Sequence, residues 1–355
     1  LYQSSQCLDG FKDYFECDTS GFTRKRCSVM AILICGGAGY IGSHINKLLS
    51  EQGYETIVFD NLIYGHRELV RWGSFVQGDL NNVAEIEEVF KRWKIDAVFH
   101  LAAYAYVGES VREPAKYYRN NVACTLNLLD VMRSNGCNRI IFSSTCATYG
   151  IPNSVPITEN MPQRPISATK LMVERIFKDY ASAYGLQFIV LRYFNAAGAD
   201  PNSEIGEWHI PETHLIPLVL DAAAGRQSNI KVLGTDYPTR DGTCIRDYIH
   251  VSDLADAHLR ALRYLQKEGK SDFFNLGNAQ GTSVLEVIDA VKKITNSNFL
   301  VEYCSRRVGD PAELVGDSKK ARSVLGWEPR HSKIENIVGD AWQWYQKLSE
   351  KERFD

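Results

Sequence analysis

Three glycines, Gly36, Gly39 and Gly42, stand in the segment AILICGGAGYIG directly after an apolar run with the character of a buried parallel strand. Glycine at these positions permits a sharp turn, lets the backbone approach a pyrophosphate closely, and lets the next helix pack tightly on the strand. The segment SHINKLLSEQG that follows is amphipathic, so a helix opens there with its free N–H groups toward the phosphates. Asp60 closes the next apolar run, ETIVFD, about 20 residues past Gly39, the spacing at which a carboxylate reaches adenosine ribose hydroxyls. No Arg or Lys directly follows Asp60, which favours NAD over NADP. The chemistry within reach of such a turn is that of a dinucleotide cofactor.

A turn of this kind needs a parallel sheet behind it. Strand-like runs (ETIVFD, SFVQGDL, DAVFHLAA, RIIFSST, QFIVLRY) alternate with helical patterns, among them Val83 to Trp93 and a long one from about Glu113 to Arg133. The alternation predicts an α/β fold, a Rossmann-type doubly wound parallel sheet with a smaller mixed α/β domain. Ligands in such sheets gather beyond the C-terminal strand ends, which points to Gly36–Gly42, Asp60, Asp79, Ala102–Tyr106, Thr145 and Asn195. After Asn195 the pattern loosens into long loops. Residues 30–195, with returning segments near 230–260, are therefore expected to form the dinucleotide-binding domain, and 196–229 with 260–345 a discontinuous second domain. Residues 1–29 do not share the pattern; they are expected to be a disordered extension ahead of Met30, which directly precedes the first strand.

The chain has 355 residues, 45% of them hydrophobic and 23% charged, enough for a large core and two substructures. A net charge of −3 gives no basic face for nucleic acid. No unbroken apolar stretch approaches the ~18 residues of a membrane span, so no membrane partner is expected. Nine cysteines at irregular spacing, without a C-x-x-C pair, indicate neither a disulfide framework nor a zinc site and read most simply as reduced thiols of a cytoplasmic protein. The eight histidines are scattered without metal-ligand spacing, so no metal is expected.

Several segments, in order, resemble the UDP-glucose (UDP-galactose) 4-epimerases of the extended short-chain dehydrogenase/reductases. They are GGAGYIGSH (36–44), FDNL (59–62), GDL (78–80), HLAAYAYVGESV (100–111), NNV (120–122), SSTCATYG (143–150), LRYFNAAGADP (191–201), PETHLIP (211–217), RDGTCIRDYIHVSDLA (240–255) and RRVGDP (306–311). The resemblance covers essentially Met30 to Tyr345. It implies NAD held by Gly36, Gly39, Tyr40, Ile41, Gly42, Asp60, Asn61, Asp79, Leu80, Ala102, Ala103, Asn121 and Lys170. It implies a UDP-sugar held by the second domain, with Thr145, Asn195, His214, Leu215, Arg246, Arg307 and Asp310 as substrate contacts. His214 and Leu215 would line the uracil end, the two arginines the diphosphate, and Asp310 the nucleotide ribose. Leu314 would lie near the sugar. The implied reaction interconverts UDP-glucose and UDP-galactose through a 4-keto intermediate, and the implied assembly is a homodimer.

In that family the chemistry rests on a Ser or Thr after the fifth strand and on a Tyr four residues before a Lys. Thr145 and Lys170 match as catalytic residues, but the residue four before Lys170 is Ile166. The family pattern runs P-x-x-P-I-S-P-Y-G-x-T-K, whereas this chain reads PQRPISATK, as if Pro-Tyr-Gly had been removed in frame. A lysine ammonium lowers the pKa of a neighbouring phenol, about 10 when free, so that it serves as a base near neutrality. Neither Ile166 nor Ser167 can replace it, and Tyr149 belongs to the family's own strand end. The loop from Pro152 to Ser167 is expected to tighten, Ser167 to cap the next helix, and Lys170 to fall in that helix's first turn. The expectation is a 4-epimerase impaired by loss of its tyrosine. The alternatives are an inactive protein that binds NAD and UDP-sugar, or a 4-epimerase of another UDP-sugar such as a UDP-pentose or UDP-N-acetylhexosamine.

Overall fold

Alternate residues of AILIC serve opposite layers. In the computed structural model, which describes residues 29–165, 168–307 and 309–348, strand β1 (Ala31–Cys35) is buried along its whole length. Ala31, Leu33 and Cys35 join one apolar cluster with Phe142, Phe177 and Phe188, whereas Ile32 and Ile34 join another with Ile45, Leu254 and Trp327. A strand covered on both faces reads as a continuous apolar run, because its period-two alternation has no wet side.

The sheet is completed by β2 (Glu55–Asp60), β3 (Ser74–Gln77), β4 (Ile95–His100), β5 (Arg139–Thr145), β6 (Gln187–Tyr193) and β7 (Asp272–Leu276). Their order is β3-β2-β1-β4-β5-β6-β7, and neighbouring strands are parallel throughout. This is the doubly wound sheet expected. Its order reverses between β1 and β4, so the chain leaves their C-terminal ends in opposite directions and a crevice opens there.

Helices α1 (Tyr40–Glu51), α2 (Val83–Arg92), α3 (Cys124–Ser134), α4 (Thr169–Tyr184) and α5 (Val251–Glu268) cover the two faces. Ile45 and Leu49 of α1 share a layer with Leu254 and Leu262 of α5; Ile86, Leu128 and Val173 bring α2, α3 and α4 to the other. The helix expected from Glu113 to Arg133 is interrupted. A short helix at Pro114–Tyr117 passes into a π-helical stretch, Tyr118–Ala123, before α3 begins. The wider turn directs Asn121 inward.

The return of the chain to the sheet also differs from expectation. Asn229–Leu233 pairs with Leu300–Cys304 outside the main sheet, and the strand that completes it is β7, reached through α5. The longest apolar run after Asn195, LIPLVLDAAA (215–224), is a helix of the second group rather than a strand, and β7 is short enough to be hidden among the loops. The second group of elements, the helices Leu215–Ala223, Val284–Thr295 and Ile334–Lys347, packs around Val219, Val287 and Ile337. Among the described residues no helix is long and apolar enough to cross a membrane.

One buried ion pair ties α4 to the sheet. Arg192 of β6 donates from Nε to Glu174 Oε1 at 3.0 Å and from Nη2 to Oε2 at 2.6 Å, and both side chains are buried. Ser144 Oγ of β5 donates to the same carboxylate at 2.6 Å, and Arg192 Nη1 reaches Tyr149 Oη at 2.8 Å. Two parallel charge-assisted bonds fix angle as well as distance. Ser167 and Ile166 lie outside the described residues, as does the extension through residue 28; the cap position of α4 is held by Ala168, without a side-chain cap bond. Glu174→Ala is expected to leave Arg192 buried and unpaired, costing about 3–5 kcal/mol of unfolding free energy. Urea denaturation would show this as a lowered midpoint, largely recovered when Arg192→Leu is added.

Candidate functional site

Gly36 turns the chain out of β1 with φ of +81°, and a Cβ there would lie 2.6 Å from the backbone nitrogen of Ala102. At Gly42 a Cβ would lie 2.2 Å from the carbonyl oxygen of Gly36. These two glycines are therefore required by contact, one with the segment after β4 and one with the turn itself. Gly39 is the N-cap of α1, and a Cβ at that position would meet only Gly36 O at 3.4 Å, leaving the helix N-terminus open to a ligand. Asp60, at the end of β2, accepts from the backbone N–H of Ala38 at 3.0 Å and from that of Leu62 at 2.9 Å. The carboxylate is thus locked beside the turn, although burial pushes its pKa above the ordinary value.

A cavity of about 400 Å³ opens at this crevice. It is lined by the glycine turn with Tyr40 and Ile41, by Asp60 and Asn61, and by Asp79 and Leu80, where Asn61 donates to Asp79 at 2.9 Å. Ala102 and Ala103 form its floor after β4. Thr145 and Lys170 enter from β5 and α4, and Asn195, His214 and Leu215 from beyond β6. Thr145 Oγ1 accepts from Ala147 N at 3.1 Å, which orients the hydroxyl at its strand end. Lys170 is the second residue of α4, in its first turn, and its Nζ donates to the carbonyl of Ser143 at 2.9 Å. Burial lowers the Lys170 pKa to about 8.

Four groups of residues sit differently from the cavity lining that the sequence suggested. Asn121 does not line the cavity: its amide accepts from Tyr104 N at 2.8 Å and donates to Tyr104 O at 3.0 Å and to Thr169 Oγ1 at 3.1 Å, bracing the wall from behind. Arg246, Arg307 and Asp310 are likewise not among its lining residues. They form their own cluster, with Arg246 Nη2 2.6 Å and Arg307 Nη2 3.2 Å from the Asp310 carboxylate, bordering the cavity through Tyr248, two residues on from Arg246. Leu314 is packed against the cluster of Cys146, Tyr149, Ile157 and Phe194 rather than facing the cavity. Finally, histidines without recognisable spacing do converge: Glu207, His209, Glu212 and His214 place one ligand atom each within 4.8 Å of the others. They lie in an irregular loop, where sequence separation carries no periodic geometry.

Within that group His214 Nδ1 lies 2.5 Å from Glu207 Oε1. The His214 side chain stays half exposed, but desolvation at its ring disfavours the charged imidazole; the Glu207 carboxylate outweighs this and raises the pKa to about 9. Two tyrosines bear on the expectation that the general base is lost. Tyr149 is fully buried, donates to Asn275 Oδ1 at 2.7 Å and does not line the cavity. Tyr193 does line it, beside Thr145 in the sheet register, yet its hydroxyl is engaged with Ser143 Oγ and burial pushes its pKa up to about 12. Ser143 and Tyr193 escaped the sequence reading; their position at paired strand ends was the available signal.

The profile of the family described as NAD dependent epimerase/dehydratase matches residues 32–277. The UDP-glucose 4-epimerase of Rhizobium leguminosarum bv. trifolii is 51% identical over 322 residues, covering 90% of this chain and 98% of that relative. Among solved structures, UDP-glucose 4-epimerase from Brucella ovis in complex with NAD superposes with a TM-score of 0.87 at 48% identity, covering 89% of this chain and 98% of that one. The enzyme from Bifidobacterium longum, in complex with NAD+ and UDP, gives 0.85 at 36% identity, covering 92% and 100%.

The depressed pKa of Lys170 makes its amine cationic below about pH 8 and neutral above it. Acetylation of Lys170 in the free protein, followed by peptide mass spectrometry, is expected to rise to half its maximal rate near pH 8. A half-point near the ordinary lysine value of about 10.4 would show that burial does not act as described.

Proposed function

Because the chain belongs to the NAD dependent epimerase/dehydratase family, we propose that it binds NAD and a UDP-sugar in this cavity and descends from the C4 epimerases of UDP-glucose and UDP-galactose. The observation that carries the reading is the meeting of Thr145 and Lys170, from separate elements, in the same cavity as the glycine turn and Asp60. The turn fits the cofactor: side chains are excluded at Gly36 and Gly42, and the N-terminus of α1 is left open at Gly39. When bound, NAD supplies a group that accepts a hydride and returns it.

The remaining roles fall to this chain's own residues. Asp60 takes the adenosine ribose hydroxyls and Asp79 the adenine amine. Lys170, in the first turn of α4, reaches the nicotinamide ribose, and Thr145 holds the sugar hydroxyl that must lose its proton. Arg246 and Arg307 take the diphosphate at the border of the cavity, with Asp310 on the nucleotide ribose. Asn195, His214 and Leu215 close the nucleotide end. What is missing is a proton acceptor beside Thr145. The position four before Lys170 is Ile166, Tyr149 faces away, and Tyr193 is held as a neutral phenol. The proposal is therefore an epimerase whose proton transfer, and hence turnover, is impaired. Buried free thiols at Cys35, Cys124, Cys137, Cys146 and Cys244 suit a reducing cytoplasm.

The test is UDP-galactose 4-epimerase turnover of this chain beside one with Pro-Tyr-Gly inserted between Ser167 and Ala168. A positioned general base is worth roughly a hundred- to ten-thousandfold, so the insertion is expected to raise kcat by that order. Equal rates in both chains would place the base elsewhere. A homodimer is proposed through the helical stretch before α3 together with α4, where Tyr118 and Met172 stand exposed at 40% and 41%. Sedimentation velocity at micromolar concentration should give a dimer that Met172→Arg converts to monomer; a monomer before substitution would refute this interface.

A further inference from the structure

The loop Glu207–His214 borders the cavity at its nucleotide end through His214, and it presents a convergence of donor atoms for which that contact has no need. Two imidazoles and two carboxylates, from Glu207, His209, Glu212 and His214, converge with one ligand atom each inside 4.8 Å. His209 Nδ1 is buried and has no hydrogen-bond partner among the described residues; it comes within 3.3 Å of Glu207 Oε1 without hydrogen-bond geometry. A buried ring nitrogen in that condition carries a desolvation cost that a ligand would relieve. Glu207 Oε1 sits between the two imidazoles, 3.3 Å from His209 Nδ1 and 2.5 Å from His214 Nδ1, while Glu212 lies 3.8 Å from each ring nitrogen.

The framework is held from outside the cluster. Trp344 Nε1 donates to the carbonyl of Glu207 at 3.0 Å. The ring of Trp208 stacks on His66 with centroids 3.8 Å apart, and Glu212 Oε1 accepts from the backbone N–H groups of Thr213 and His214. The donor atoms are thus presented by a braced loop.

We propose that Glu207, His209, Glu212 and His214 form a structural zinc site that locks this loop against the cavity. The chemistry of the set is apt: imidazole nitrogen and carboxylate oxygen both bind Zn2+ at about 2.0–2.2 Å, and four protein ligands close a tetrahedral site. Ligand atoms around such an ion stand about 3.4 Å apart, within the spread already present, so side-chain rotations are enough to bring them in. The ion takes the place of the direct Glu207–His214 contact and gives His209 its missing partner. With no open coordination position it takes no part in bond making; its effect is to fix the wall that carries His214 and Leu215. This inference does not depend on the epimerase reading, since its readout is metal binding.

The full chain, stripped with chelator and dialysed, is titrated with Zn2+ against a chromophoric chelator, and in parallel loaded with Co2+ for its visible spectrum. One equivalent of Zn2+ and a tetrahedral Co2+ spectrum without a thiolate charge-transfer band are expected. Loss of a direct ligand in His209→Ala should weaken Zn2+ binding by at least about tenfold, the lower end of what even outer-shell changes cost. Glu212→Gln, which keeps the side-chain shape, provides the same comparison if His209→Ala does not fold, and Cys304→Ser should leave binding unchanged. Less than one equivalent, unchanged affinity in the ligand variants, or a thiolate band assigning the ion to cysteines would overturn the site.

Discussion

Arg192 and Glu174 meet in the interior, where α4 crosses the ends of β5 and β6, and the placement of the cavity's chemistry follows from that meeting. The two charges are out of water, so neither can be left alone, and the bidentate geometry admits one relative position of helix and sheet. Lys170 precedes Glu174 by one helical turn and therefore arrives over Ser143, whatever the length of the loop that leads into the helix. The apolar side of α4, through Val173 and Phe177, adds area to the same constraint.

The crevice shows a comparable economy of contact at the other end of the site. β1 and β4 bring their ends so close that Gly36 and Ala102 touch through backbone atoms, which leaves the space above them to a ligand rather than to side chains. Asp60 is held there by two backbone N–H groups, and Asn61 in turn holds Asp79. Each acid is oriented by a neighbour that the strand end itself provides. The opposite wall is different in kind: Glu207, His214 and their companions come from a loop without regular structure, which Trp344 and the Trp208–His66 stack hold from outside.

That contrast decides what the sequence could disclose. The glycine turn, Asp60 and the strand ends at Asp79 and Thr145 are legible because each is governed by local spacing within one strand–turn–helix unit. Asn121 braces the wall from behind rather than lining it, since a π-helical stretch shifts which side of the helix a residue faces and hydrophobic spacing of 3.6 does not register a single wide turn. The Arg246–Asp310 pair depends on two strands distant in the chain, so the sequence suggested the residues but not their mutual engagement. The cluster at Glu207–His214 was invisible for a related reason, since metal-ligand spacings are recognisable only on helices or in known loops.

The strand order has a consequence for how the chain comes to be made. β6 pairs with β5 on one side, but its other neighbour, β7, follows about 80 residues later, after the loops and α5 have been synthesised. At about 5–20 residues per second the outer edge of QFIVLRY stays open for on the order of ten seconds during translation. An open apolar edge is a template for pairing with another chain. A nascent chain halted within that interval carries its most aggregation-prone surface uncovered, whereas the finished protein hides it beneath DFFNL.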